Sequence, residues 1–373
     1  MLALRLARGS GPLVLLRRLL VAAASAGVGL LLLRVLGYAV GHPAPAAGAG
    51  LRLLWCLIPL AATVRLAAAV ARTDPGIRPS HGSTAAGLGP AGRAVLSAVS
   101  AALTCALGSG AALLLFLHLR SGGGLPFHSA ARRPVAGSPL PMPAALLLLA
   151  AVPVAAAVSS AWAVRRRRPV REDAAPRGAA WGVALVAAGL AAEAYGSGRS
   201  GVAPLPVPGL SGGGPAVPAG WSLTALGLAV AAPALTHLCG RLLQSVRPGA
   251  VRLLAGRVLQ SEAARIGRPL GVCCAVASGI VAVSALPGAA VRQAGPLTAL
   301  GAALVVACTA ATLLSAAVEA RQDRAATTAA LLRGCAPAGV LRSAAVLRVI
   351  ALLTLFTPLT WGVAVLAATP LSR

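Results

Sequence analysis

Seven acids, five histidines and seven cysteines are all that this 373-residue chain offers for acid–base, metal or nucleophilic chemistry. The acids are Asp74, Glu172, Asp173, Glu193, Glu262, Glu319 and Asp323. Only Glu193 falls inside an apolar run, where an ionisable group marks function by default. It lies at the run's outer end beside Tyr195, from where a carboxylate is expected to reach the interface. The histidines, His42, His81, His118, His128 and His237, are scattered, and no pair has the i, i+4 spacing of metal ligands on a helix. Cys273 and Cys274 are adjacent without a nearby histidine, and the other cysteines sit singly, mostly in apolar runs. They are expected to pack as small apolar residues rather than to form disulfides or a metal site. No Ser/His/Asp constellation assembles, so the chain is expected to be no enzyme and to hold no cofactor.

The basic residues add one exclusion. All 33 are arginine. A Walker A loop needs a lysine to reach the β- and γ-phosphates. If ATP drives this protein, the ATPase is another polypeptide.

The elements that must position these groups are membrane spans. The chain is 58% hydrophobic and 11% charged, and its mean hydropathy is +0.84. Soluble domains sit near 45–50% apolar and about 25% charged. About 20 apolar residues cross the hydrocarbon. Nine such runs fall near residues 19–40, 51–71, 94–119, 144–164, 179–196, 221–239, 269–286, 297–318 and 341–369. The fold class is therefore an all-α polytopic membrane protein of about nine transmembrane helices. Pro153 and Pro233 are expected to kink their helices.

The net charge of +26 invites a nucleic-acid reading. The arginines lie in short loops between apolar runs, so topology explains them instead. Loops on the side of the N-terminus hold 23 arginines and the opposite loops hold six. The positive-inside rule places the N-terminus in the cytoplasm of a cell membrane. Trp162 and Trp181 would then mark the inner interface, and Tyr38, Trp55, Tyr195 and Trp221 the outer one. None of the outer loops has the roughly 50 residues of an independent domain.

One connector organises the pattern. Glu319 to Arg348 is a polar, arginine-bearing stretch between two apolar runs, and Arg72 to Arg93 is a weaker copy. Each opens on Arg-x-Asp, as Arg321 and Asp323 or Arg72 and Asp74. Each then reaches Pro-Ala-Gly, expected as a turn at Pro90 and at Pro337. Internal repeats of this kind outrank local signals. The halves are predicted as 1–165, with four spans, and 241–373, with three, around a two-span linker region at 166–240. The basic segment Arg241–Arg268 places Val251, Leu254, Ala255, Val258, Leu259 and Ile266 on one arc, with Arg252, Gly256, Arg257 and Gln260 off it. Such a helix is expected to lie along the inner membrane surface.

The order of span, short turn, span, connector, span resembles the FtsX-like permease family, the membrane subunits of MacB-type ABC systems, in its two-repeat form. That family carries a cytosolic Leu-Leu-Arg core after a span, which Leu331-Leu332-Arg333 match. Leu88-Gly89 match its Leu-Gly turn in the first copy. Thr327-Thr328 stand where the family has an acid, and Ala336 where it has glycine.

The resemblance implies a permease subunit that couples hydrolysis by a separate ABC ATPase to movement of its spans, for export or a lipid-type substrate. It implies that the connectors are coupling helices, with Arg321, Asp323, Arg324, Leu331, Leu332 and Arg333 in one and Arg72, Asp74, Leu88 and Gly89 in the other. Leu331, Leu332, Val340 and Leu341 would dock, and Arg321, Arg324 and Arg333 would meet acidic rim residues. The lipid bilayer, and a second copy or related permease, are the other partners implied; nucleic acid is not. An ordinary basic loop explains the same residues. A non-transporting scaffold or regulatory protein, or an ion-coupled carrier with a buried acid-lined cavity, remain open.

Overall fold

A computed structural model describes residues 12–41, 46–73, 89–120, 141–165, 178–197, 216–245, 249–284, 296–333 and 337–368. Within them the chain is helical: α1 Pro12–Gly41, α2 Ala46–Thr73, α3 Pro90–Arg120, α4 Met142–Arg165, α5 Ala179–Ser197, α6 Ala216–Ser245, α7 Ala250–Ser284, α8 Pro296–Asp323, α9 Ala325–Arg333 and α10 Ala338–Ala368. Among these, eight segments are long and apolar enough to cross a membrane, and the apolar stretch of α5, Ala179–Tyr195, is shorter. Each of the nine predicted runs is thus a helix. Helices are the form such sequences must take, because hydrocarbon satisfies no backbone N–H or C=O. The hydroxyls follow the same rule by bonding to their own helix: Ser97 Oγ donates to the Ala94 carbonyl at 2.8 Å, and Thr236 Oγ1 to the Ala232 carbonyl at 2.8 Å.

Many large apolar side chains face outward while small residues fill much of the inside. On α3 Leu103, Leu107 and Leu114 are exposed, whereas Ser97, Cys105 and Ala112 on the same helix are buried. A soluble protein does the reverse; large apolar groups facing outward are what lipid accepts. Between membrane helices no hydrophobic driving force remains, so close backbone approach through small residues holds them together. In the first half Ser25 and Gly29 of α1 meet Gly108 and Ala112 of α3, each pair four residues apart. Leu33, Phe116 and Leu149 join α1, α3 and α4 in a small core.

The chain divides into two compact units. One comprises 1–168 and 294–315; the other comprises 169–293 and 316–373. Helices α5 and α6, from the region 166–240 expected as a linker between repeats, belong to the second unit together with α7 and α10. Gly182 of α5 lies so close to Ala231 of α6 that a β-carbon on it would be 2.6 Å from the Ala231 nitrogen. Helix α8 contributes its residues up to Ser315 to the first unit and its end to the second.

Two local expectations are corrected. The Pro-Ala-Gly motifs are helix starts, not turns. Pro90 opens α3 and Pro337 immediately precedes α10, each helix 31 residues long. Proline suits a helix start because the missing N–H is unpaired there anyway. The basic segment Arg241–Arg268 is not one separate helix. Its start is the end of α6, and residues 250–268 form the first half of α7, which continues through Pro269 as one 35-residue helix. Gly256, expected off the apolar arc, is buried against Gly240 of α6. Small residues at Gly256, Gly267 and Gly271 let α6 and α7 run side by side, and that contact outweighs the amphipathic preference of the segment.

Candidate functional site

The main connector begins where α8 ends. Arg324 is a single non-helical residue between α8 and α9. The break is slight, because backbone bonds still bridge it: Arg324 N donates to the Ala320 carbonyl at 3.3 Å and Thr328 N to the Arg324 carbonyl at 2.8 Å. Helix α9 holds Leu331, Leu332 and Arg333 in its last turn. Pro337 then leads into α10. The Leu-Leu-Arg core is thus helical and nearly continuous with the preceding span, which makes it a lever rather than a loop.

Two ion pairs fasten the base of that lever to α7. Arg324 Nε lies 2.6 Å from Glu262 Oε1, with side chains 32% and 12% exposed. The Arg265 guanidinium pairs with Asp323. Glu262 and Arg265 are three residues apart, so they share one face of α7, and they receive consecutive residues of the α8–α9 junction. Arg324 also donates from Nε to the Ala320 carbonyl at 3.0 Å. Arg348 of α10 lies within electrostatic reach of Glu262. Two acids and three arginines therefore tie α7, the junction and α10 together.

These contacts sort the expected coupling residues. Asp323 and Arg324, expected to face a partner, are engaged within the chain. Arg321 and Arg333 are exposed, and Arg333 Nε makes only a long bond of 3.4 Å to the Ala329 carbonyl of its own helix. Val340 and Leu341 are half-buried at the start of α10. In the first copy, Arg72 closes α2 with its Nε 3.2 Å from the Ala68 carbonyl, and Gly89 is exposed just before α3. Asp74 and Leu88 lie outside the described residues. The roles of Glu262, Arg265 and Arg348 were not recognised from the sequence. The signal available was the i, i+3 pair of opposite charges in a segment that has few acids.

Glu193 departs from expectation. It is 2% exposed and accepts from Thr224 Oγ1 at 3.3 Å, so it turns into the helices and not out to an interface. Trp221, expected at the outer interface, has its indole nitrogen buried. Trp162, Trp181 and Tyr195 are exposed, as interface aromatics would be. Among the described residues no group of three His, Cys, Asp or Glu side chains could hold a metal ion.

No protein-family model, curated protein or solved structure matches this chain.

Proposed function

We propose that this multi-pass membrane protein is the permease subunit of an ABC transporter of the FtsX-like type, with its N-terminus and connectors in the cytoplasm. The observation that carries the proposal is the clamped lever: a short helix bearing Leu-Leu-Arg, continuous with a span and pinned at its base by Glu262 and Arg265. A coupling element must be stiff where it meets the bundle and exposed where it meets the partner. Helix α9 is held at its base, and it carries the exposed Arg333 at its far end. Arg321 and Arg333 are then the groups that steer an ATPase with an acidic groove rim, while Asp323 and Arg324 transmit its motion to α7.

The test is co-purification of the tagged protein in mild detergent from its native host, followed by mass spectrometry. A Walker-A-bearing ATPase is expected to accompany it. With Arg321→Glu and Arg333→Glu together, its recovery is expected to fall at least about tenfold, since like-charge contacts oppose docking. A preparation free of any ATPase, under conditions that keep a known ABC complex intact, rejects the proposal.

The carrier alternative gains one specific observation, the burial of Glu193 in the helix bundle. It lacks a second acid facing the same cavity among the described residues.

A further inference from the structure

Glu193 sits in a pocket that the coupling reading does not use. The pocket is a cavity of about 30 Å³, room for one or two waters. Helix α5 supplies Glu193, and α6 supplies Trp221, Thr224 and Ala225. Ser278 and Gly279 come from α7, and Val363 and Ala367 from α10.

Among the described residues, two buried polar atoms of the side chains lining this pocket have no partner: Glu193 Oε2 and Trp221 Nε1. The other carboxylate oxygen, Oε1, accepts the single bond from Thr224. Ser278 Oγ already donates to the Ala275 carbonyl at 2.9 Å, leaving its lone pairs available but no proton to give. Gly279 lies against the indole, at a distance where a β-carbon would make ordinary contact with the Trp221 ring, 3.4 Å. Gly189 and Gly220 let α5 and α6 come together beside Glu193: a β-carbon on Gly220 would lie 2.6 Å from Glu193 Cγ and 2.7 Å from the Gly189 carbonyl oxygen.

The charges facing the carboxyl are decisive. Among the described residues, none that α6, α7 or α10 presents to the cavity is charged or titratable in the physiological range. Cys274, next along α7, faces Ala232 and Phe356 in the core instead. An ionised carboxylate buried without a counter-charge is far costlier than the neutral acid. Among the described residues Glu262, by contrast, has Arg324 as its counter-charge. A metal cation would need several oxygen ligands, whereas the indole N–H points to an acceptor, not to a cation.

We infer that the Glu193 pocket is a proton-binding site inside the helix bundle, in which Oε2 takes up one proton and Trp221 Nε1–H donates to a water that connects the site to solvent. Uptake converts the carboxylate to the neutral acid, with no other bond made or broken. The site rests on α5, α6, α7 and α10 and is independent of the connector. It gives the second unit a group that gains or loses charge with the proton concentration at one membrane face.

The experiment compares thermal unfolding of the full-length protein with that of Glu193→Gln in lipid nanodiscs, from about pH 5 to about pH 9. Glutamine mimics the protonated acid and cannot ionise. The two proteins are expected to unfold together at the acidic end. Toward the basic end the wild type is expected to fall below Glu193→Gln by about 5 °C or more. A difference that stays constant across this range overturns the inference. So does recovery of the wild type at basic pH by sodium chloride but not choline chloride, which would make the ligand a metal cation. Should Glu193→Gln fail to fold, labelling of wild type with a hydrophobic carbodiimide, which reacts with the protonated acid, replaces it. An adduct on Glu193 that disappears as pH rises supports the site, and labelling that is absent at every pH or indifferent to pH rejects it.

Discussion

Gly108→Leu is expected to abolish folded protein, whereas Gly110→Leu, two residues along the same helix, is expected to be nearly silent. Gly108 faces α1. A β-carbon there would run into Ser25 Oγ and the Ala22 carbonyl, while one on Gly110 meets nothing within 4 Å. Overpacking a core usually costs about 1–3 kcal/mol because side chains yield. Here part of the obstacle is backbone, and Ser25 is itself held by a 2.9 Å bond to the Ala22 carbonyl. The cost should therefore exceed about 3 kcal/mol, a large share of the roughly 5–15 kcal/mol that keeps a domain folded. Size-exclusion profiles of fluorescently tagged protein decide the matter. A single sharp peak for Gly110→Leu with aggregate or no peak for Gly108→Leu is the expected pair. Equal profiles would mean that α1 and α3 do not approach through these small residues.

The same contrast explains what was legible in the sequence. The all-helical class follows from run length and polarity alone, and each run became a helix, eight of them among the described residues long and apolar enough to cross a membrane. The inside face of each helix was not legible. Small-xxx-small patterns occur everywhere in an alanine-rich chain, so Gly108 and Gly110 look alike until a neighbour is placed beside one of them. The amphipathic arc of residues 250–268 was real, but it competed with a glycine stripe at Gly256, Gly267 and Gly271 that matched α6. Close packing of two helices prevailed over partition to a surface. Glu193 was misplaced for a related reason. Its position near the end of a run set its depth, but the helix face it occupies depends on Gly189 and Gly220, which draw α6 over it. In the connector, Arg-x-Asp followed by arginine was visible as a charged stretch. That Asp323 and Arg324 would be consumed by Arg265 and Glu262, some 58 residues earlier for the first pair, requires the tertiary fold.

The Arg324–Glu262 pair should carry more stability than the neighbouring Arg265–Asp323 pair. Arg324→Ala is expected to lower the unfolding midpoint by about 5 °C, near 2 kcal/mol, because it removes the direct partner of the nearly buried Glu262 carboxylate and leaves it only the longer-range fields of Arg348 and Arg265. Breaking Arg265–Asp323, whose side chains are 33% and 43% exposed, should cost at most about 1 kcal/mol. The charge swap Glu262→Arg with Arg324→Glu should recover part of the loss, and the coupling energy of the cycle should exceed the sum of the single effects' scatter, about 0.5 kcal/mol. Salt separates the two pairs as well, since screening weakens exposed charges far more than buried ones. The same variants divide docking from transmission. Arg321→Glu with Arg333→Glu alters only exposed groups and, under the proposed coupling role, should release an ATPase partner without moving the midpoint. Arg324→Ala leaves those groups in place, so the ATPase should remain bound while the lever loses its anchor on α7. If both variants release the ATPase equally, the clamp is part of the docking surface and not a hinge behind it.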